Sequence, residues 1–315
     1  MRVREYLVLF ALAALWGASF LFIRVAVAEL SPLVLVGARF VVATLGLLLV
    51  VPFQPAIVKG WRRHLWGFFV VAIFNAIIPY LAISWGEQYV PSGIAAILAA
   101  TIPLATVIIS QWWPGGERIT WERLAGVALG LLGVVIVIGP TTLFTGALYL
   151  LGAGAILLGA VSYAFGGLFA HRMLAGLPSI LPALGQTAMG ACILGPIAGI
   201  ALVVDPPLHI PSMAVIASVL ALALGGTTLA YICFYWLIAR VGPTRTVIVT
   251  YLLPCMALIY GAFLLHETVG INALAGLVFI LLGIFLIGKR TASSAQNHTG
   301  QTTHEQAIAQ ERKIS

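Results

Sequence analysis

The chain has 315 residues, of which 62% are hydrophobic and 8% charged, with a formal net charge of +7. Soluble domains carry about 25% charged residues, so this composition excludes a water-soluble globular protein and requires that most of the surface face lipid. The basic excess has a membrane explanation and asks for no nucleic-acid partner.

Ten apolar runs follow one another at about 6–28, 32–51, 65–85, 92–112, 124–139, 146–170, 180–204, 213–239, 244–265 and 271–288. About 20 residues of helix cross a ~30 Å hydrocarbon core, and lone strands would leave backbone groups unpaired in lipid. The sequence therefore predicts an all-α membrane protein of ten transmembrane helices. The first run follows Arg2 and Arg4 but exceeds the ~7–15 apolar residues of a cleavable leader, so it is read as retained. The connections are too short for a soluble domain, and the polar stretch 291–315 lacks an apolar face and reads as a disordered cytoplasmic tail. Cys192, Cys233 and Cys255 fall inside runs, suit neither a metal nor a disulfide framework, and are expected to pack in the core.

With the N-terminus in the cytoplasm, Arg2, Arg4, Lys59, Arg62, Arg63, Arg118, Arg123, Arg172, Arg240, Arg245, Lys289 and Arg290 all fall on the inner face, and the outer connections carry no Lys or Arg. Only Arg24 and Arg39 are left over. This bias sets an N-in, C-in orientation and accounts for the net charge.

The second half repeats the first. Tyr80, Trp85 and Pro103 recur as Tyr231, Trp236 and Pro254 at an offset of 151, and Leu124-Ala125-Gly126 and Gly133 recur as Leu274-Ala275-Gly276 and Gly283, one residue closer. Earlier, Trp16, Arg24 and Arg39 align with Tyr163, His171 and Gln186. Five spans per half is an odd number, so the halves, 1–140 and 141–290, enter the membrane in opposite senses. That is the inverted repeat of carriers whose halves rock about a midplane site.

Trp85, Trp112, Trp113 and Trp236 lie near span ends, where an interfacial belt accounts for them. Trp16, Tyr80, Tyr163 and Tyr231 lie deeper and are candidates to line a substrate cavity. Arg39 lies about 10 Å inside its helix, where an Arg costs about 2.5–3.5 kcal/mol and has to face protein or water. It reads as the counter-charge of a substrate carboxylate, as a side chain that snorkels outward, or as half of a structural pair with Glu29 or Glu267. Pro103 and Pro254 sit mid-span and are expected to kink their helices at matched positions, a pointer to a transport site. Asn75, Thr101, Thr227 and Tyr251 add hydrogen-bonding groups to the substrate-binding set, and Gly225-Gly226 permits close helix approach. Glu117 and Glu267 precede spans five and ten and are expected to cap them. No span carries a carboxylate near its middle; Glu87, at the outer end of the third, comes closest. Coupled cation antiport is therefore disfavoured, and a neutral or zwitterionic substrate fits better.

Several of these stretches resemble one family. They are Leu15-Trp16-Gly17-Ala18-Ser19-Phe20 in the first span, Ser31-Pro32 and Ala38-Arg39-Phe40 in the second, and Pro103 in the fourth. To them are added Glu117-Arg118-Ile119-Thr120 leading into Gly126 and Gly133, and His266-Glu267 leading into Gly276 and Gly283. In order and spacing they resemble the ten-span drug/metabolite transporter superfamily, and within it the EamA-type exporters, over about residues 5–288. The resemblance implies a carrier that exports or exchanges small metabolites through a cavity lined by spans one, three, four, six, eight and nine.

The expectation is a secondary transporter, exporter or exchanger, of small neutral or zwitterionic metabolites such as amino acids. It works by alternating access around a midplane cavity, with no cofactor or metal, in the bacterial inner membrane. The alternative is a lipid or lipid-linked-precursor flippase on the same scaffold, for which only Arg39 and Arg24 could serve a phosphate. A membrane enzyme would need clustered carboxylates, metal ligands or an activated nucleophile, and the spans offer none. The sequence leaves the oligomeric state open, a homodimer included.

Overall fold

The computed structural model describes residues 1–49, 61–114, 120–139, 146–178, 180–206, 209–246 and 248–287. The tail 291–315, Glu117, Lys59, Arg118, Lys289 and Arg290 lie outside them. Among the described residues the fold is helical throughout, without strands. Seven helices are long and apolar enough to cross a membrane: α1 (Val3–Ala26), α3 (Leu65–Gly86), α4 (Ser92–Ser110), α5 (Trp121–Ile138), α6 (Ala147–Met173), α7 (Ile180–Val204) and α8 (Met213–Val241). Three shorter apolar helices are α2 (Pro32–Leu48), α9 (Val249–Leu264) and α10 (Ile271–Ile287). Their outer faces are apolar, with Leu45, Leu131, Leu158, Ile200 and Phe285 exposed, as a bundle surrounded by lipid requires. Trp66, Trp112 and Trp121 are also exposed, at the ends of α3, α4 and α5.

The helices depart from the expected runs at places with a local cause. α3 contains a π turn at Ile73–Ile77 and α8 one at Ala221–Leu229. In α8, the hydroxyls of Thr227 and Thr228 donate to the carbonyls of Leu222 and Ala223 five residues back, at 3.0 and 3.1 Å, and so occupy the widened turn. α4 is split: its first segment ends at Ala99, and Pro103 stands in the first turn of the second, where its missing N–H is not needed. Pro254, at the matched position, instead rides inside a continuous α9. The ninth run starts at Val249 rather than 244, because Gly242 (φ 81°) ends α8 and a separate turn, Pro243–Thr246, intervenes. Cys192 does not pack in the core; it is exposed on α7, whereas Cys233 and Cys255 are half-buried.

Two carboxylates tie remote helices together. Glu267 caps α4 rather than the helix that follows it. It accepts from Ser92 N at 2.8 Å, Ser92 Oγ at 3.0 Å and Gly93 N at 3.2 Å. The chain reverses through His266 in the left-handed region (φ 54°), and a side chain at Gly261 would stand 2.6 Å from Glu267 Oε2. Glu29 likewise accepts from Ser212 N, at the start of α8, at 2.7 Å. Neither carboxylate pairs with Arg39, which corrects the structural-pair expectation.

Helix packing follows a regular scheme. α2 lies against α7, α4 against α9, α1 against α8 and α9, α3 against α6 and α7, and α2 against α8. α5 meets α10 through glycines: a side chain at Gly126 would stand 2.7 Å from the carbonyl of Gly283, and one at Gly133 2.7 Å from that of Gly276. Small residues of this kind let helix backbones approach in lipid, where dispersion replaces the hydrophobic effect. Gly283→Val should destabilise the protein by about 1–3 kcal/mol through overpacking, read as a drop of several degrees in the detergent melting midpoint. Gly154→Ala, which meets nothing within 4 Å, should leave the midpoint unchanged.

Candidate functional site

Helices α1, α2, α3, α4, α6, α7, α8 and α9 enclose a cavity of about 330 Å³. Arg39, only 5% exposed, reaches it from α2. Its Nε donates to Thr227 Oγ1 at 2.9 Å, and its guanidinium carbon lies 4.1 Å from the centroid of the Tyr80 ring. The π turn of α8 sets this contact: the Thr227 hydroxyl commits its own proton to Leu222 and is left to accept from Arg39. Tyr80 is held flat by Phe40, ring centroids 5.4 Å apart. Gly226 makes the room, since a side chain there would strike Ser19 Oγ and stand 3.8 Å from Arg39 Nη2. Among the described residues, no carboxylate hydrogen-bonds this guanidinium; its charge is met by a hydroxyl and a ring face.

A polar chain crosses the cavity wall. Asn75 Nδ2 donates to Gln186 Oε1 at 3.0 Å, and Gln186 Nε2 donates to the Tyr231 hydroxyl at 2.7 Å. Tyr231 and Tyr80 share a hydrogen bond of 3.4 Å between their hydroxyls. The chain thereby joins α3, α7 and α8. Tyr163 stands beside Tyr80, centroids 6.2 Å apart, and Trp16 beside Phe234 at 5.4 Å.

Of the residues singled out in the sequence, Trp16, Arg39, Asn75, Tyr80, Pro103, Tyr163 and Tyr231 line the cavity. Thr227 stands directly behind it as the Arg39 partner. Thr101 is buried, with its hydroxyl on the Leu98 carbonyl; Tyr251 packs against the main core and Pro254 is buried in α9. Ser19, Gln186, Phe234, Tyr235 and Thr250 also line the cavity. Gln186 carried one signal, its alignment with Arg39. Tyr235 follows Tyr231 by one helical turn and lies tilted beside it, centroids 6.1 Å apart. Arg24 does not serve the cavity; it donates to the backbone carbonyl of Glu87. Among the described residues no group of His, Cys, Asp and Glu could hold a metal ion.

The cavity is off-centre. Its lining runs from Phe20 and Ile83 to Ala170, Pro182 and Thr250. Those last three stand near the helix ends that carry Arg172, Arg240 and Arg245. At the opposite end, Glu87, Val90 and Ser92 are wholly buried, and the Glu267 cap closes over α4.

The chain matches the EamA-like transporter family over residues 3–139 and again over 150–289, and it belongs to that family. It is 30% identical to the uncharacterized inner membrane transporter YedA of Escherichia coli strain K12, covering 91% of this chain and 92% of that protein. It is 27% identical to a probable terminal-alkyne amino-acid exporter of Streptantibioticus cattleyicolor, over 66% of this chain and 68% of that one. A solved crystal structure with 18% identity shares the fold at a TM-score of 0.63, covering 91% of this chain and 98% of that one. The protein is thus a multi-pass integral membrane transporter.

Because Gln186 bridges Asn75 and Tyr231, replacements along the chain should not add. A double-mutant cycle of Gln186→Leu with Tyr231→Phe, read by unfolding in mixed detergent, should give a coupling of about 0.5–3 kcal/mol.

Proposed function

We propose that this transporter exports or exchanges small neutral or zwitterionic metabolites, amino acids among them, by alternating access. The observation that carries this reading is Arg39: a buried guanidinium that faces an aromatic cavity and is hydrogen-bonded only through Nε among the described residues. Its remaining donors suit a carboxylate, bidentate and charge-assisted. The faces of Tyr80, Tyr163 and Trp16 suit an apolar side chain or an ammonium group, and the Asn75–Gln186 amides suit polar substituents. A cavity of about 330 Å³ lies at the small end of ligand pockets, which favours metabolites over lipids. The amino-acid exporter among the relatives agrees with this class.

In this reading the ten helices form two inverted five-helix repeats with both termini in the cytoplasm of a bacterial inner membrane. Exchanging each helix of the first five with its counterpart in the second turns the main helix contacts into one another. α2–α7 and α4–α9 map onto themselves, and α1–α8 onto α3–α6. The two separate family matches support the same division. The basic helix ends mark the cytoplasmic side, so the cavity is open inward and sealed outward.

Arg39→Gln removes one charge-assisted pair, worth about 1.5–3 kcal/mol. In proteoliposome counterflow with labelled amino acids, it should weaken apparent affinity by about 10–100-fold with normal expression and melting. Equal counterflow by wild type and Arg39→Gln, or wild-type preference for the decarboxylated amine over its amino acid, would remove the carboxylate assignment. Movement of a lipid reporter without solute exchange would defeat the carrier reading.

A further inference from the structure

Glu87 has no part in the cavity just described. It follows the last residue of α3, and its N–H continues the helix to the Ile83 carbonyl at 2.9 Å. Its side chain is wholly buried, and among the described residues neither carboxylate oxygen has a hydrogen-bond partner. Buried polar groups are nearly always satisfied, and an ionised carboxylate without donors is the costliest kind to leave bare.

The donors in this layer are committed elsewhere. Arg24, at the end of α1, donates to the main-chain carbonyl of Glu87, not to its carboxylate. The free N–H groups at the start of α4, with the Ser92 hydroxyl, are taken by Glu267 from the α9–α10 connection. Arg39 on α2 is turned toward Thr227 and Tyr80. From α6, Gly152 and Ile156 stand against the adjoining Gly86. Among the described residues, the half-buried Glu267 is thus solvated by donors, whereas the wholly buried Glu87 is not. The negative charge of Glu267 opposes ionisation of Glu87. Glu87 is also at the C-terminal end of a helix, whose dipole opposes negative charge. Burial, and then the charge of Glu267, push its carboxyl well above the ordinary range, against the opposing pull of Arg24 and Arg39.

We propose that Glu87 is a proton-binding site built into the outward seal, occupied while the seal is closed and emptied when it opens. Opening separates the ends of α1 and α3 from the start of α4 and admits water. The O–H bond of Glu87 then breaks, the proton passes to water on that face, and the carboxylate pairs with Arg24, which already lies at its backbone. Closing reverses each step, taking one proton back. The sealed state is therefore favoured by acid on the outer face and the open state by alkali. This inference rests on the alternating-access reading above.

The sign of the stability effect follows from linkage. A carboxyl whose folded pKa is raised makes the sealed protein bind more protons than the unfolded chain. Its stability is then full below the ordinary carboxylate range and falls as pH rises above it.

The test uses the full chain in lipid nanodiscs. Infrared difference spectra across a pH titration should show the carbonyl stretch of a protonated carboxylic acid that persists above the pH where ordinary carboxylates ionise. The band should be absent from Glu87→Gln. In a protein lacking Cys192, Cys233 and Cys255, spin labels at Ala28→Cys and Ile271→Cys, both exposed beside the seal, report its opening. Alkaline pH should lengthen the distance in wild type and leave it short in Glu87→Gln. Glu87→Leu, also neutral, should behave as Glu87→Gln does. A band that survives in Glu87→Gln, a distance insensitive to pH, or the same pH response in both variants as in wild type would overturn the proposal. Counterflow without such a band defeats the proton site alone; the band in a protein that carries no solute defeats the carrier reading alone.

Discussion

A guanidinium that is 5% exposed inside an apolar bundle is stable only where the protein replaces the water it has lost. Here the replacements come from three helices. α8 offers the Thr227 hydroxyl, turned to accept by a π turn. α3 offers the Tyr80 face at 4.1 Å, kept flat by Phe40 on α2 itself. α1 leaves room through Ser19 opposite the bare Gly226. Because none of these is a carboxylate, the charge is tolerated without being neutralised, which leaves it available to an anion entering the cavity. The Asn75–Gln186–Tyr231–Tyr80 chain then fixes the orientation of the same tyrosine from the other side. The aromatic wall and the polar chain thus meet at Tyr80, whose face carries the Arg39 guanidinium.

The contacts that hold the bundle differ in kind with position. Between α5 and α10, bare glycine backbones meet, and only dispersion and close fit are involved. At the sealed end the ties are few and polar: Glu267 on the start of α4, Glu29 on the start of α8, and Arg24 on the end of α3. Polar ties of this sort can be exchanged for water at little net cost, whereas glycine packing cannot be opened without creating a void. The molecule thus places its few polar ties at the end of the bundle away from Arg172, Arg240 and Arg245, and its glycine contacts between α5 and α10.

Much of this was visible in the order of residues. Apolar runs located the helices to within a few residues, because lipid leaves the backbone no alternative to internal hydrogen bonding. Trp16, Tyr80, Tyr163 and Tyr231, deep in their runs, line the cavity, whereas of the four tryptophans near span ends Trp112 is exposed and Trp85, Trp113 and Trp236 are half-buried. The expense of an intramembrane Arg singled out Arg39. The misses share one cause. Glu267 was read as the cap of the next helix, but its partners lie 175 and 174 residues away. Pro103 and Pro254 occupy equivalent positions, yet only the first divides its helix, because Thr101 lies in a turn there and binds Leu98. Gln186 was noticed only as the residue aligned with Arg39, and its bridging role needs α3 and α8 on either side.

The sequence by itself determined that the chain is a helical membrane protein, where its helices run, that its halves repeat, and which charge is too costly to be incidental. These are properties of local composition and period, and solvation in lipid acts on them residue by residue. Only the tertiary structure decided which donor each buried group meets. It assigned Glu267 to α4, Arg24 to the Glu87 backbone and Arg39 to Thr227, and it left both Glu87 oxygens without a partner among the described residues. Hydrogen bonding is short-ranged and directional, so a partner is settled by which helix faces which, and that is written in no single stretch of the chain.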